Sequence, residues 1–217
     1  MFKYKISILF IFILTLCSFT FVSAEDQKLA GKTIYIDPGH GGRDPGAIYK
    51  EIKESDINLQ LAQELKIELE KQGAIVYQTR IGDYDLSKIN TKNHKKNDLE
   101  TRAKLINESD CDIYISIHLN SDSSQTWYGP QIFYTNKNGK NKEIAQVIQT
   151  EFKELLKSKR EIKQLNNMYL FDRIKKPGVL IEAGFISNPN DRYLLQNQNH
   201  QKKIAQTITD ALIKYYN

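Results

Sequence analysis

Short β-branched and aromatic runs alternate along this chain with stretches whose apolar residues recur every three to four positions. Strands need a period of two and helices one of 3.6, so this rhythm describes βα units and little else. The spacing predicts strands at 33–36, 74–79, 112–117, 131–134 and 179–181. It predicts helices through Ile57, Leu61, Leu65 and Leu69 and at 99–109, 142–156 and 204–215. Ser55 or Asp56 is the expected N-cap of the first helix, and Gly73 the residue just past its end. Residues 83–98 are polar and aperiodic, so they read as a surface loop, with a substrate-side lid as the alternative. No repeat or proline-rich linker interrupts the pattern. The expected architecture is one α/β domain over residues 25–217, with a twisted, mostly parallel sheet of about six strands flanked by helices.

Residues 1–24 stand apart. Lys3 and Lys5 precede an almost unbroken apolar run over 6–22, and Val22-Ser23-Ala24 supplies small residues ahead of Glu25. This is the layout of a secretory signal peptide; because the run is slightly long, an uncleaved membrane anchor is the alternative. Either one places the rest of the chain outside the cytoplasm. Cys17 does not suit lipid attachment, since Leu16 occupies the preceding position, where a small residue is needed. Cys111 is then the only cysteine left, so an intramolecular disulfide is excluded, and its place before an apolar strand suits a buried thiol. The whole chain carries a net charge of +5, and without the two leader lysines 29 basic side chains face 26 acidic ones. That mild excess helps adsorption to anionic wall polymers. With no arginine stripe or stacking motif, it does not support nucleic-acid binding.

Two of the four histidines stand at the carboxyl ends of predicted strands. His40 follows Ile34-Tyr35-Ile36-Asp37-Pro38-Gly39 and precedes Gly41-Gly42; His118 follows Tyr114-Ile115-Ser116-Ile117 and precedes Leu119-Asn120. Ligands of open α/β sheets gather at those strand ends, and two imidazoles brought there can hold zinc. His94 and His200, in a polar loop and in a run between helices, read as surface residues. A catalytic zinc takes three protein ligands, so an acidic third is expected near the His40 loop. Glu54 and Glu51 both qualify on spacing. Glu182 closes the otherwise apolar strand Val179-Leu180-Ile181, a costly place for a carboxylate unless it is used. Beside a metal it can serve as general base and acid. An ion-paired structural glutamate is the plainer reading.

Here the residues resemble the zinc-dependent N-acetylmuramoyl-L-alanine amidases of the amidase-3 type. The resemblance rests on Asp37-Pro38-Gly39-His40-Gly41-Gly42, Glu54-Ser55-Asp56-Ile57-Asn58-Leu59, Ser116-Ile117-His118-Leu119-Asn120 and Ile181-Glu182-Ala183-Gly184-Phe185-Ile186-Ser187-Asn188. It implies one Zn²⁺ per chain on His40, Glu54 and His118, which selects Glu54 over Glu51, with Glu182 as the catalytic carboxylate. Residues 106–110, the Trp127-Tyr128-Gly129-Pro130-Gln131 stretch and Tyr169-Leu170 are similar to the germination-specific branch of that family. This implies cleavage between N-acetylmuramic acid and L-alanine in the peptidoglycan of the spore cortex. The freed lactyl group then becomes muramic-δ-lactam after a separate deacetylase has acted. Whether an accessory protein regulating zinc or activity is also a partner is left open by the residues. Two positions depart from the family pattern: Ser55 replaces a lysine, and Asp172 precedes the expected basic residue, here Arg173.

Asn120, Trp127 and Gln131 are candidates for glycan contact, Trp127 because a sugar face stacks on an aromatic ring. Rim packing serves Trp127 equally well. A general cell-wall or division amidase is the first alternative to the cortex role, and two further rival functions remain open. One is a zinc peptidase with the same chemistry, told apart by its product. The other is a catalytically idle wall-binding factor, against which the four retained site residues argue.

Overall fold

The structure, a computed structural model, describes residues 27–217, so the expected signal peptide and Cys17 lie outside the described residues. In chain order the elements are β1 (Thr33–Pro38), β2 (Ile48–Tyr49), β3 (Ile52–Lys53), α1 (Glu54–Lys71), β4 (Ile75–Gln78), α2 (His94–Glu108) and β5 (Ile113–Asn120). β6 (Gln131–Tyr134), α3 (Lys140–Leu155), β7 (Lys163–Gln164), β8 (Gly178–Phe185), α4 (Pro189–Leu195) and α5 (Gln198–Tyr216) complete it. Six strands form one sheet in the order β4-β1-β5-β8-β6-β7, and β2 with β3 makes a separate small hairpin. The pairs β1–β4, β1–β5 and β5–β8 are parallel, while β6 runs antiparallel to β8. The expected mostly parallel α/β sheet is present.

Strand alternation sorts the side chains onto two faces. Ile34, Ile36, Ile115, Ile117, Val179 and Ile181 pack beneath α1, α3 and α5 with Leu61, Leu65, Phe152 and Ile208. Tyr35, Tyr114, Phe133 and Leu180 face the other way, against Ala103 and Ile106 of α2 and the turn at Leu170 and Phe171. Because the period is two, the polar residues that continue this second series, Asp37, Ser116, His118, Glu182 and Gln131, also belong to the α2 face. Cys111 is a buried free thiol.

Several boundaries differ from expectation. Neither Ser55 nor Asp56 caps α1. The helix starts at Glu54, and backbone carbonyls of the preceding loop take over capping, Pro45 accepting from Ser55 N and Ala47 from Glu54 N. Residues 94–98, expected as loop, form the first turn of α2, capped by Asn93, whose side chain accepts from Lys96 N. That turn lacks apolar residues, so periodicity could not reveal it. His200 lies within α5 rather than between helices, where Asn197 supplies the cap. The hairpin, β7 and α4 are too short to show a period. Among the described residues no helix is long and apolar enough to cross a membrane.

Gly178 opens β8 against β5 so closely that a Cβ there would meet the Tyr114 carbonyl oxygen at 2.2 Å and its ring at 2.3 Å. Gly178→Ala should therefore destabilise by about 1–3 kcal/mol or more, seen as a lower urea midpoint at unchanged m-value. A midpoint equal to wild type would contradict this close approach.

Candidate metal and catalytic site

Three side chains from separate elements meet at the carboxyl edge of the sheet. His40 comes from the loop after β1, Glu54 from the first residue of α1 and His118 from β5; their donor atoms all lie within 4.8 Å of one another. His40 Nε2 is 3.2 Å from Glu54 Oε1, and His118 Nδ1 is 3.0 Å from the same oxygen. The two imidazoles stand edge to face with centroids 4.8 Å apart. Donors sharing a tetrahedral ion at bond lengths of about 2 Å lie about 3.3 Å apart, so this spacing suits one small cation. Glu54 is nearly inaccessible, and Ala47 N at 2.8 Å and Leu119 N at 3.1 Å fix its two oxygens. Burial alone would raise its carboxyl, yet the hydrogen bonds from His118 and His40 outweigh it and hold Glu54 well below the ordinary range.

The loop reaches this geometry by an unusual backbone route. His40 has φ 62°, a left-handed conformation that costs a non-glycine residue about 1 kcal/mol or more. A Cβ at Gly39 would strike the His118 ring at 2.2 Å, so only glycine lets the two histidines come together. Asp44 accepts from His40 Nδ1 at 3.0 Å, which orients the ring and leaves Nε2 facing the cluster. Burial opposes protonation of His40, but Asp44 and Glu54 raise it to about 9.

Two buried arginines clamp the loop from below. Arg102 donates to Pro38 O at 2.7 Å and His40 O at 2.6 Å while its charge is met by Asp37 at 2.7 Å and Asp98 at 2.8 Å. Arg80 donates to the carbonyls of Pro38, Gly39, Ser55 and Gly82. Asp37 is fully buried and also accepts from Thr79 and Ser116. Burial would raise its carboxyl, but Arg102 and the Thr79 hydroxyl bring it below the ordinary value.

Glu182 is the register partner of His118 across β5 and β8. Its Oε2 is buried without any hydrogen-bond partner among the described residues. Burial pushes its carboxyl up to about 7; His118 opposes that shift and the Glu54 charge adds to it. An orphaned carboxylate oxygen beside a set of nitrogen and carboxylate donors fits a bound cation and the water it would carry. Asn120 ends β5 half-buried, and Trp127 is half exposed in the loop before β6. Gln131 is buried, donating to Glu161 O at 2.7 Å and accepting from Arg160. His94 and His200 lie outside the cluster. Sequence reasoning missed Asp44, Arg80, Arg102 and Asp37. Asp37 carries the same signal as Glu182, an acid closing an apolar strand, and Arg102 interrupts the buried face of an amphipathic helix.

Because Asp37 titrates lower in the folded than in the unfolded protein, its pairing stabilises above about pH 4 and is lost as pH falls through the folded value. Arg102→Met should cost about 3–5 kcal/mol at pH 7 by stranding a buried charge, and the deficit should narrow on acidification below about pH 4. Urea unfolding across pH checks both; a deficit independent of pH would remove the ion pair from the account.

The sequence profile of the N-acetylmuramoyl-L-alanine amidases matches residues 34–214. The chain is 41% identical over 216 residues to the germination-specific N-acetylmuramoyl-L-alanine amidase of Bacillus subtilis, covering 95% of this chain and 91% of that one. It is 30% identical to B. subtilis LytC, an N-acetylmuramoyl-L-alanine amidase, over 88% of this chain and 36% of that longer protein. The CwlD amidase of Clostridioides difficile, solved in complex with the GerS lipoprotein, superimposes with a TM-score of 0.81 at 37% identity, covering 85% of this chain and 98% of that one. With the profile spanning nearly every described element, this chain belongs to the N-acetylmuramoyl-L-alanine amidase family.

Proposed function

We propose that this protein cleaves the amide between N-acetylmuramic acid and L-alanine in spore-cortex peptidoglycan, with one zinc ion held by His40, Glu54 and His118. The observation that carries this reading is the convergence of those three donors beside the unpartnered carboxylate of Glu182. The germination-specific name of the B. subtilis relative supports the cortex as the site of action. Such a substrate lies outside the cytoplasm, in keeping with the secretory signal or anchor read in residues 1–24. An accessory protein governing metal loading or access is part of the proposal, and the C. difficile relative, solved together with a lipoprotein, supports it.

Zinc bound at this position would supply Lewis-acid polarisation of the scissile carbonyl and acidify a water molecule. The protein's own groups do the rest. Asp44 ties down Nδ1 of His40 so that Nε2 stays available, and the loop clamp keeps that ring in place. Glu182, poised near neutrality, takes a proton from the attacking water and delivers it to the L-alanine nitrogen as that bond breaks. Products are a free lactyl carboxylate on the glycan and a peptide with a free amino end. A peptidase would instead cut within the stem peptide.

Glu182→Ala should retain one zinc per chain yet lose about 10²- to 10⁴-fold in stem-peptide release. Mass spectrometry of the muropeptides together with metal analysis reads both, and substantial turnover by the variant would exclude the role. His118→Ala should lower zinc content as well; unchanged stoichiometry would take His118 out of the site.

A further inference from the structure

His118 on β5, Glu182 on β8 and Gln131 on β6 are register partners across three adjacent strands, so their side chains stand in one row on the α2 face. Arg160, in the segment between α3 and β7, ends that row. Its Nε and Nη2 donate to Gln131 Oε1 at 3.1 and 2.8 Å. Its guanidinium carbon sits 4.9 Å from the Trp127 ring centroid and 5.4 Å from that of Phe185. Gln131 in turn is anchored by donating to Glu161 O. Arg43 and Arg102 pair with carboxylates, and Arg80, Arg173 and Arg192 donate to backbone carbonyls; Arg160 also meets no carboxylate among the described residues, but it alone of these joins the row, and its Nη1 has no acceptor. A half-buried guanidinium, fixed by stacking and by one neutral acceptor, keeps a free edge suited to a carboxylate.

We propose that Arg160 is a specificity residue that binds a free carboxylate on the departing peptide; this rests on the amidase reading above. The glycan side of the scissile amide is uncharged, whereas the stem peptide carries the anionic groups, so a cation with a free edge at the end of this row selects the peptide side. Distance identifies which group. His118 and Gln131 are two strand spacings apart, about 9.5 Å; two extended residues span about 7 Å, and the carboxyl group on the second reaches about 2.5 Å further. The first carboxylate reaching Arg160 is therefore the α-carboxylate of the second stem residue, where that residue is linked onward through its side chain. Trp127 has the guanidinium over its ring, and so acts here as the platform that orients Arg160.

The test uses the zinc-loaded protein and two muramyl tripeptides that differ only in whether the second residue's α-carboxyl is a free acid or a carboxamide. Wild type should favour the acid by about 10- to 100-fold in kcat/KM. Arg160→Met should reduce that preference to about 2-fold or less, with Arg160→Lys in between. Disturbance of Gln131 or Glu182 lowers both substrates alike and leaves the ratio intact, so the ratio isolates recognition from positioning. A wild-type ratio near one, or a preference that survives in Arg160→Met, overturns the assignment. Cleavage of neither substrate by wild type would defeat the amidase reading itself, and the role of Arg160 with it.

Discussion

The ion pair between Asp37 and Arg102 is the interaction on which the site depends. Neither side chain reaches solvent, and together they bring a strand end, a helix and a loop to one point. Separating them would strand a charge in the interior, where its cost is several kcal/mol. The same guanidinium satisfies the carbonyls of Pro38 and His40, so the energy that favours pairing also favours the left-handed turn at His40. Arg80 reinforces it through Pro38 and Gly39 and reaches across to Ser55 at the start of α1. Burial lowers Arg80 to about 10, with the neighbouring Arg102 adding to the effect, and it remains charged at neutral pH. His40 and Glu54, 14 positions apart in the chain, are thereby held by one set of donors.

Much of this was legible in the residues. Five strands and four helices followed from periodicity, because β1, β5 and β8 are buried on both faces and α1, α3 and α5 each carry a long apolar stripe. His40 and His118 stood out because they sit where strands end, and Glu182 because a carboxylate in an apolar run demands an explanation. Spacing alone left Glu51 and Glu54 open. What separates them in the structure is tertiary: Ala47 N and Leu119 N both reach the Glu54 carboxylate, and Leu119 is remote in sequence. The elements that escaped notice are those stabilised by contacts rather than pattern. The first turn of α2 is polar, yet Asp98 within it accepts from Leu86 N and pairs with Arg102. Arg80 and Arg102 went unread as site residues because their work is done on backbone carbonyls, which a sequence does not display.

Electrostatically the site is layered. Asp37, Arg102 and Asp98 form the buried tier; His40, Glu54 and His118 the tier above it; Glu182 flanks them with one oxygen unmatched. The buried tier is fully paired, and in the tier above it both ring nitrogens of His40 and both oxygens of Glu54 also have partners. The unmatched carboxylate atom of these tiers is the Glu182 oxygen, where a further hydrogen bond can be accepted.

The reversed direction of β6 has a consequence of its own. In a wholly parallel sheet every loop bordering the catalytic edge would follow a strand. Here β6 begins at that edge, because Gln131 pairs with Glu182 near the end of β8, so the segment that borders it is the one leading in, residues 121–130. That connection bears no donor to the His40, Glu54 and His118 cluster and is not part of either apolar core. A change of side chain along it therefore reshapes what the enzyme accepts while leaving the three donors and both cores untouched.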